Sequence, residues 1–355
     1  MRRIRMGKHW VGEDDPVYFI ADISANHDGD LGRAKELIRL AAEAGAHAAK
    51  FQNFRAEKIV SKHGFESIGS QLSHQSKWKK SVFEVYKGAS IPFEWTAELK
   101  QECDRAGIDY FSSPYDFEAV DMLDPYVEIY KIGSGDITWP EILVKMASKN
   151  KPLLLATGAS SLGDVQRAID TILPINQDLV LMQCNTNYTG SLENFKYVSL
   201  NVLKTYRTMY PDMVLGLSDH TPGHSTVLGS VALGARAIEK HFTDDTRREG
   251  PDHPFSMDPK SWKEMAYRTR ELQAALGSAV KRVEENEKDT VVVQRRSLRA
   301  ASALRAGEPL KAEHLVALRP CPREALEPYH LPKVLGLKPR KDIKEGEIIR
   351  WIDLE

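Results

Sequence analysis

Eight short apolar runs in this sequence each end in side chains that can bind or move charge. Asp22, Ser24, Asn26 and His27 close the first. Lys50 and Gln52 stand two apart in the second, so a strand would present both on one face. Ser112 and Ser113 end the third, Lys131, Ser134 and Asp136 the fourth, and Thr157 and Gly158 the fifth. The sixth runs into Asn185, Thr186, Asn187 and Tyr188; the seventh ends Ser218-Asp219-His220 and the eighth Lys240-His241. Burying a lysine without an anionic partner costs several kcal/mol. Lys50 and Lys131, with hydroxyls around them, therefore suggest a ligand with more than one acidic group, such as a phosphate plus a carboxylate. Pairing with Asp or Glu inside the fold is the alternative. His220 and His241 end consecutive runs, so their rings could meet. Two imidazoles with carboxylates suit a divalent transition metal, the alternative being histidines of the core. The HExxH zinc pattern and the P-loop are both absent.

These side chains need a scaffold that gathers eight strand ends. The runs fall at 17–24, 46–52, 108–113, 127–133, 152–158, 178–184, 213–219 and 235–241. Helical patterns such as 31–46 and 92–107 lie between most of them, and 259–276 reads as a closing helix. Strands alternating with helices predict a parallel sheet. About eight such units in roughly 250 residues predict a TIM (β/α)8 barrel, an α/β fold whose strand C-terminal ends converge on one mouth. A doubly wound open sheet is the rival, but no GxGxxG follows the first strand. Residues 1–16 read as a hairpin with Gly7 and Gly12 as turn candidates.

The chain has 355 residues, enough for a large barrel plus a small module, with 42% hydrophobic residues to fill a core. Lys and Arg total 49 against 50 Asp and Glu, a balance that argues against a general nucleic-acid or anionic-membrane binder. An aromatic content of 8% offers no stacking platform for nucleic acid. Cys103, Cys184 and Cys321 are far apart and lack metal-ligand spacing, which favours a reducing cytoplasm. The basic N-terminus is followed by Glu13, Asp14 and Asp15 with no apolar run between, so no signal peptide is expected, and no stretch reaches the ~18 apolar residues of a membrane span.

The division expected is a barrel domain over 1–280, a linker over 281–294 and a small mostly-β domain over 295–355. The charged stretch 281–289 would span roughly 30 Å if extended. The tail carries an internal echo: Gly307-Glu308-Pro309-Leu310 precedes His314-Leu315 at the spacing with which Gly346-Glu347-Ile348-Ile349 precedes Asp353-Leu354. Each copy reads as turn, strand and short helical turn, giving a compact module with pseudo-two-fold symmetry.

Over nearly its whole length the sequence resembles the N-acetylneuraminate (sialic acid) synthase family, including legionaminic and pseudaminic acid synthases. The matching segments are ADISANHDGDLGRAKELI (21–38), AGAHAAKFQ (44–52), FSSPYD (111–116), YKIGSGDITWP (130–140), LLLATGAS (153–160), GLSDHTPG (216–223), VALGARAIEKHFTDD (231–245) and GPDHPFSMDP (250–259). RRSLRAA (295–301) and LRP (318–320) match the family's small C-terminal antifreeze-like (SAF) domain. The resemblance implies that phosphoenolpyruvate condenses with an amino-sugar aldehyde to give a nonulosonic acid. Lys50 and Lys131 would hold phosphoenolpyruvate, with Ser113, Ser134 and Ser218 on its oxygens. His220 and His241 would hold a divalent metal, manganese first, with magnesium or cobalt as alternatives. Asp22 would work on the acceptor and the water. Gln52, Tyr188 and Asp252 would line the acceptor site, Tyr115 and Thr186 would bind substrate, and Asp136 would be among the catalytic groups. Arg319 would reach the neighbouring subunit's site in a domain-swapped homodimer.

The sequence departs from the family's usual pattern in places. Asp22 and Asp136 stand where glutamate is commoner, which sets each carboxylate about 1.5 Å further back. CNTNYTG (184–190) replaces a more usual Cys-Thr-x-x-Tyr-Pro, and RPCPRE (319–324) lacks the glycine that often follows Arg-Pro. The acceptor is thus open between N-acetylmannosamine and diacetamido-trideoxyhexoses. Two other readings are a synthase for a shorter sugar acid, against which the C-terminal module argues, and a non-catalytic sugar-binding barrel, which would have no need of the Lys50, Lys131, His220 and His241 set.

Overall fold

The computed structural model describes residues 2–70 and 73–355 and falls into two compact units, up to Gly277 and from Ser278 to Glu355. The first unit opens with an antiparallel hairpin, β1 (Ile4–Met6) and β2 (His9–Val11). Its turn carries Gly7 at φ +56°, where a Cβ would lie 2.3 Å from Asp109 Cγ, so both backbone and space call for glycine. The Lys8 N–H and the Tyr18 hydroxyl donate to the Asp109 carboxylate. The Arg2 N–H donates to the Asp212 carbonyl; Asp109 opens one barrel strand and Asp212 stands just before another, so the hairpin lies across the N-terminal ends of the strands.

Eight parallel strands then close into a barrel: β3 (Tyr18–Asp22), β4 (Ala48–Asn53), β5 (Asp109–Pro114), β6 (Tyr130–Ile132), β7 (Leu153–Ala156), β8 (Leu179–Cys184), β9 (Val214–Asp219) and β10 (Ala235–His241). Neighbours in sequence are neighbours in space, and β10 pairs with β3 from Ala237↔Tyr18 to His241↔Asp22, closing the ring. This is the TIM barrel expected from the alternation of runs. Its strands are buried on both faces, which explains why they read as continuous apolar runs rather than alternating ones.

The helices form outside for local reasons. In Leu31–Glu43, Ala34, Leu37, Ile38 and Ala41 recur at helical spacing and are buried, while Asp30 accepts from the Arg33 N–H as N-cap. Asp116 caps Phe117–Leu123, and Ser161 with Asp164 forms a capping box on Leu162–Ile172. The closing helix Pro259–Leu276 starts with proline in its first turn behind the Asp258 cap. Asp116 and Ser161 stand two and five residues after the ends of their strands, so these turns are short.

In the second unit β11 (Ser297–Ala300) and β12 (Leu315–Leu318) pair antiparallel over a core that includes Leu298, Leu310, Val334 and Ile349. The echo is visible in the backbone. Gly307 and Gly346 both sit at φ +79°, Leu310 and Ile349 are buried three residues later, and helical turns Ala312–His314 and Trp351–Asp353 follow. The expected strand within each copy is reduced to backbone hydrogen bonds, Leu310 N–H to Leu337 and Ile349 N–H to Leu298. The stretch expected as a linker, whose reach if extended was given above, is helical over Glu285–Glu287 and Lys288–Gln294. A Glu284/Glu287 capping box and an i,i+3 pair between Lys288 and Glu285 account for the difference. Among the described residues no helix is long and apolar enough to cross a membrane.

Candidate active site

At the C-terminal ends of the strands lies a cavity of about 430 Å³. Strand alternation selects what enters it. Asp22, Lys50, Gln52, Ser113, Lys131, Ser218 and His241 point inward from the strands, and Tyr115, Ser134, Asp136, Thr186, Tyr188, His220 and Asp252 join from the loops. Arg319, also singled out in the sequence, belongs to the second unit. It is exposed in the C-terminal unit, where its Nε donates to the Gln294 carbonyl. Other strand-end groups turn outward or serve the scaffold. Asn26 donates to the Phe242 carbonyl and Ser112 to Asn53, while Thr157 bonds the Met182 carbonyl and Tyr206. Asp219 and Lys240 pair with each other at 2.5 Å on the outer face, one residue off the inward set, and are not groups of the mouth.

The two buried lysines are paired with carboxylates. Lys50 Nζ lies 2.7 Å from Asp22 Oδ2 and 3.5 Å from Glu239 Oε1, and Lys131 Nζ donates to Glu239 Oε1 at 2.9 Å. The Ser218 hydroxyl donates to the same oxygen at 3.2 Å. Glu239 was missed in the sequence. Its signal was the alternation that puts it on the inner face two residues before His241, just as Ser218 precedes His220. Burial alone would raise its pKa, but Lys131 and Lys50 pull it well below the ordinary range. Burial would lower Lys50, and Asp22 and Glu239 outweigh that and leave it raised. With both lysines so matched, four buried polar atoms of the cavity have no hydrogen-bond partner: Ser113 Oγ, Asp136 Oδ2, Glu239 Oε2 and His241 Nδ1. Buried polar atoms are nearly always satisfied in a finished interior, so these four mark where a ligand's atoms belong. Burial raises the Asp136 carboxyl to about 6.

Loop contacts position the rest. Asp22 Oδ1 accepts from the Ser24 N–H, and Gln52 Nε2 donates to Asp22 Oδ2 at 3.1 Å. Asp252 Oδ2 accepts from Ser24 Oγ at 2.5 Å and from the Ala25 N–H. Its loop is anchored by buried His253, which bridges Thr243 and Asp28. The Gly158 N–H donates to Ser134 Oγ, and a Cβ at Gly158 would fall 1.8 Å from Thr186 Oγ1, so the tight approach of these loops requires glycine there. The His220 and His241 rings lie 5.3 Å apart, centroid to centroid. His220 Nδ1 faces the Asn185 carbonyl at 3.1 Å; a carbonyl can only accept, so that nitrogen carries the hydrogen. Cys184 also lines the cavity. Burial would raise its thiol, but a hydrogen bond with His220, with Lys131 and Ser134 nearby, holds it below the ordinary value.

The NeuB family model matches residues 37–281, and a SAF domain matches 295–355. The chain belongs to the NeuB family. As a NeuB member it is a sialic-acid-type nonulosonic acid synthase with a barrel and a SAF domain. It is 32% identical to N,N'-diacetyllegionaminic acid synthase of Campylobacter jejuni, over 93% of this chain and 98% of the relative. It is also 32% identical to human N-acetylneuraminate-9-phosphate synthase, over 77% of this chain and 75% of the relative. A crystal structure of N-acetylneuraminic acid synthetase from Leptospira borgpetersenii, in complex with citrate, superposes with a TM-score of 0.71 at 28% identity, covering 82% of this chain and 95% of that one.

Proposed function

We propose that this NeuB enzyme condenses phosphoenolpyruvate with an N-acetylmannosamine-type amino-sugar aldehyde, giving a nonulosonic acid and phosphate. The observation that carries this is the meeting of Lys50, Lys131, His220 and His241 in one cavity with partnerless buried polar atoms. C3 of phosphoenolpyruvate forms the new bond to the aldehyde carbon, whose oxygen takes a proton. Water adds at C2, and the C2–O bond to phosphate breaks. Lys50 and Lys131 bind the carboxylate and phosphate, for which the incoming anion competes with Glu239. Ser113, Ser134 and Ser218 add hydroxyl contacts. Asp22, oriented by the Ser24 N–H and Gln52, faces the acceptor and the attacking water. Asp136 and Asp252, with Tyr115, Thr186 and Tyr188, complete the acceptor's surroundings.

Among the described residues no group of three or more His, Cys, Asp or Glu is arranged around a cation position. The paired imidazoles, one set by the Asn185 carbonyl at its Nδ1 and one with an unpartnered buried Nδ1, nevertheless fit a divalent ion whose other ligands are water and substrate. His220 and His241 would hold it, manganese first, with magnesium or cobalt as alternatives. Bound there it would supply Lewis-acid polarisation of the aldehyde oxygen. Phosphate release from phosphoenolpyruvate, strictly dependent on an amino-sugar aldehyde, is the expected result. Release without any aldehyde, or none with a full panel, would overturn the proposal. Excess chelator should abolish turnover and leave the melting curve intact, and full activity without detectable metal would remove the ion from the scheme.

The proposal places the enzyme in the cytoplasm, in keeping with three unpaired buried cysteines, as a domain-swapped homodimer in which Arg319 serves the partner's site. Mixing Lys131→Ala chains with Arg319→Ala chains tests this. If Arg319 acts in trans, one site of each mixed dimer has both groups and activity returns; if it acts in cis, every site keeps one defect.

A further inference from the structure

Ser24 begins the helical turn Ser24–His27 that follows β3, and its backbone is left-handed, at φ +44°. A side chain in that region is strained, and glycine would take the same conformation without the strain. Strain of this kind persists only where the surroundings impose it, and it gathers at functional sites. Ser24 is buried and lines the cavity. Its N–H donates to Asp22 Oδ1 at 3.1 Å, a bond that glycine would give equally. The hydroxyl is what serine adds, and it donates to Asp252 Oδ2 at 2.5 Å.

The loop that carries Asp252 is held without that bond. His253 beside it bridges Thr243 and Asp28, and the Asp252 carbonyl accepts from the Ser256 hydroxyl. The Ser24 hydroxyl therefore fixes the carboxylate rather than the backbone. Together with the Ala25 N–H it occupies Oδ2, so a ligand in the cavity would meet Oδ1. The two carboxylates tied to Ser24 stand at the two nitrogens of one ring. Asp22 Oδ2 lies 3.5 Å from His241 Nε2, and Asp252 Oδ2 lies 3.9 Å from His241 Nδ1. One strained residue thus sets two acids on either side of the imidazole at which the aldehyde is proposed to react.

We infer that Ser24 is a positioning residue whose hydroxyl holds the Asp252 carboxylate in the orientation that meets the acceptor, while its N–H holds Asp22. The left-handed backbone lets a single residue serve both acids. The inference rests on the reaction proposed above and adds a residue to its machinery.

Ser24→Gly and Ser24→Ala test it. Phosphate release is followed at saturating phosphoenolpyruvate and Mn²⁺, with N-acetylmannosamine or a 2,4-diacetamido-2,4,6-trideoxyhexose varied, whichever the wild type turns over faster. Both variants keep the N–H and lose the hydroxyl. A hydrogen bond to a carboxylate is worth roughly 10- to 100-fold. Both should lose that much in kcat/KM for the aldehyde, with the Kd for phosphoenolpyruvate, read by calorimetry, within about twofold of wild type. Ser24→Gly should melt no lower than Ser24→Ala, because it relieves the strain, so the loss of activity follows the hydroxyl and not the stability. In an Asp252→Ala background Ser24→Gly should cost less than about twofold more, because the two residues act as a unit. Wild-type kinetics in Ser24→Gly, an equal loss of phosphoenolpyruvate affinity, or losses that multiply in the double variant would overturn the inference and leave the reaction standing. Absence of phosphate release by the wild type with both aldehydes would overturn the reaction, and this inference with it.

Discussion

Two buried ion-pair systems lie on opposite faces of the same strand ends. On the inner face Lys131 and Glu239 are 3% and 5% exposed; on the outer face Lys240 and Asp219 are 1% and 2% exposed. Burial alone does not distinguish them. Hydrogen-bond completeness does. The Thr226 hydroxyl and the Thr221 N–H and hydroxyl donate to Asp219, and Lys240 also donates to the Thr221 carbonyl. Inside, Glu239 Oε2 and the neighbouring Ser113 Oγ have no partner. The outer pair is a finished piece of scaffold that ties β9 to β10 and to the helix Ser225–Ala232. The inner system is left open for a ligand. A buried lysine in a barrel is thus a sign of function only when its surroundings are unfinished.

The largest expected effect tests the finished side. Lys240→Ala leaves Asp219 charged and buried, a change that costs about 3–5 kcal/mol. Urea unfolding should show that loss, and the double variant Lys240→Met with Asp219→Leu should recover most of it, because an apolar pair of similar volume replaces a buried ion pair at little cost. A loss below about 1 kcal/mol in the single variant would mean that the outer pair is not the tether described.

Lys131→Ala tests the open side. Glu239 keeps Lys50 and Ser218 as partners, so stability should fall much less than in Lys240→Ala. The contact to a dianionic ligand is what disappears, worth about 1.5–3 kcal/mol, or roughly 10- to 150-fold in the Kd for phosphoenolpyruvate. Calorimetric titration reads it directly. Unchanged affinity with a large loss of stability would turn Lys131 into a second Lys240.

The sequence made the barrel legible because each of its strands is an apolar run closed by polar residues, with helix caps such as Asp30, Asp116 and Ser161 following at short range. The lysines and histidines were legible as strand-end residues. Of their partners Asp22 was legible too, and Glu239 was not. Glu239, Lys240 and His241 are equally polar in the sequence, and only the pleat decides that the middle one faces outward. The aromatic side chains that also line the cavity, Phe54, Trp78 and Tyr86, were hidden for another reason. They come from short helices such as Val82–Ala89 and from the turns around them, which carry no strand periodicity to flag them. The conformation of the linker was not legible, because its charges say nothing of the local caps and the i,i+3 pair that make part of it helical.

The smallest expected effect separates the two faces by the sign of their pH dependence. Burial raises Asp136 from the ordinary 3.8 to about 6. Near pH 3 the carboxyl is protonated in both folded and unfolded chains and costs nothing. As pH rises through 4 the unfolded carboxyl ionises while the folded one resists, so stability falls until the folded group ionises near pH 6 and is flat above pH 7. A full shift of about two units is worth about 3 kcal/mol; partial access to solvent reduces that to about 1–2 kcal/mol. Asp136→Asn should therefore raise stability by that amount at pH 8 and leave it unchanged at pH 3. Asp219 behaves in the opposite sense. Burial would raise its pKa, but Lys240 and Thr226 bring it below 3.8, so its contribution is present above pH 4 and lost as pH falls through the lowered value. Asp219→Asn should be costly at pH 8 and progressively less so under acid. Unfolding curves of the two variants, taken from pH 3 to pH 8, should diverge from wild type in opposite directions at the alkaline end. If Asp136→Asn were destabilising at pH 8, its carboxylate would already be satisfied in the folded chain, and the inner face would be as finished as the outer one.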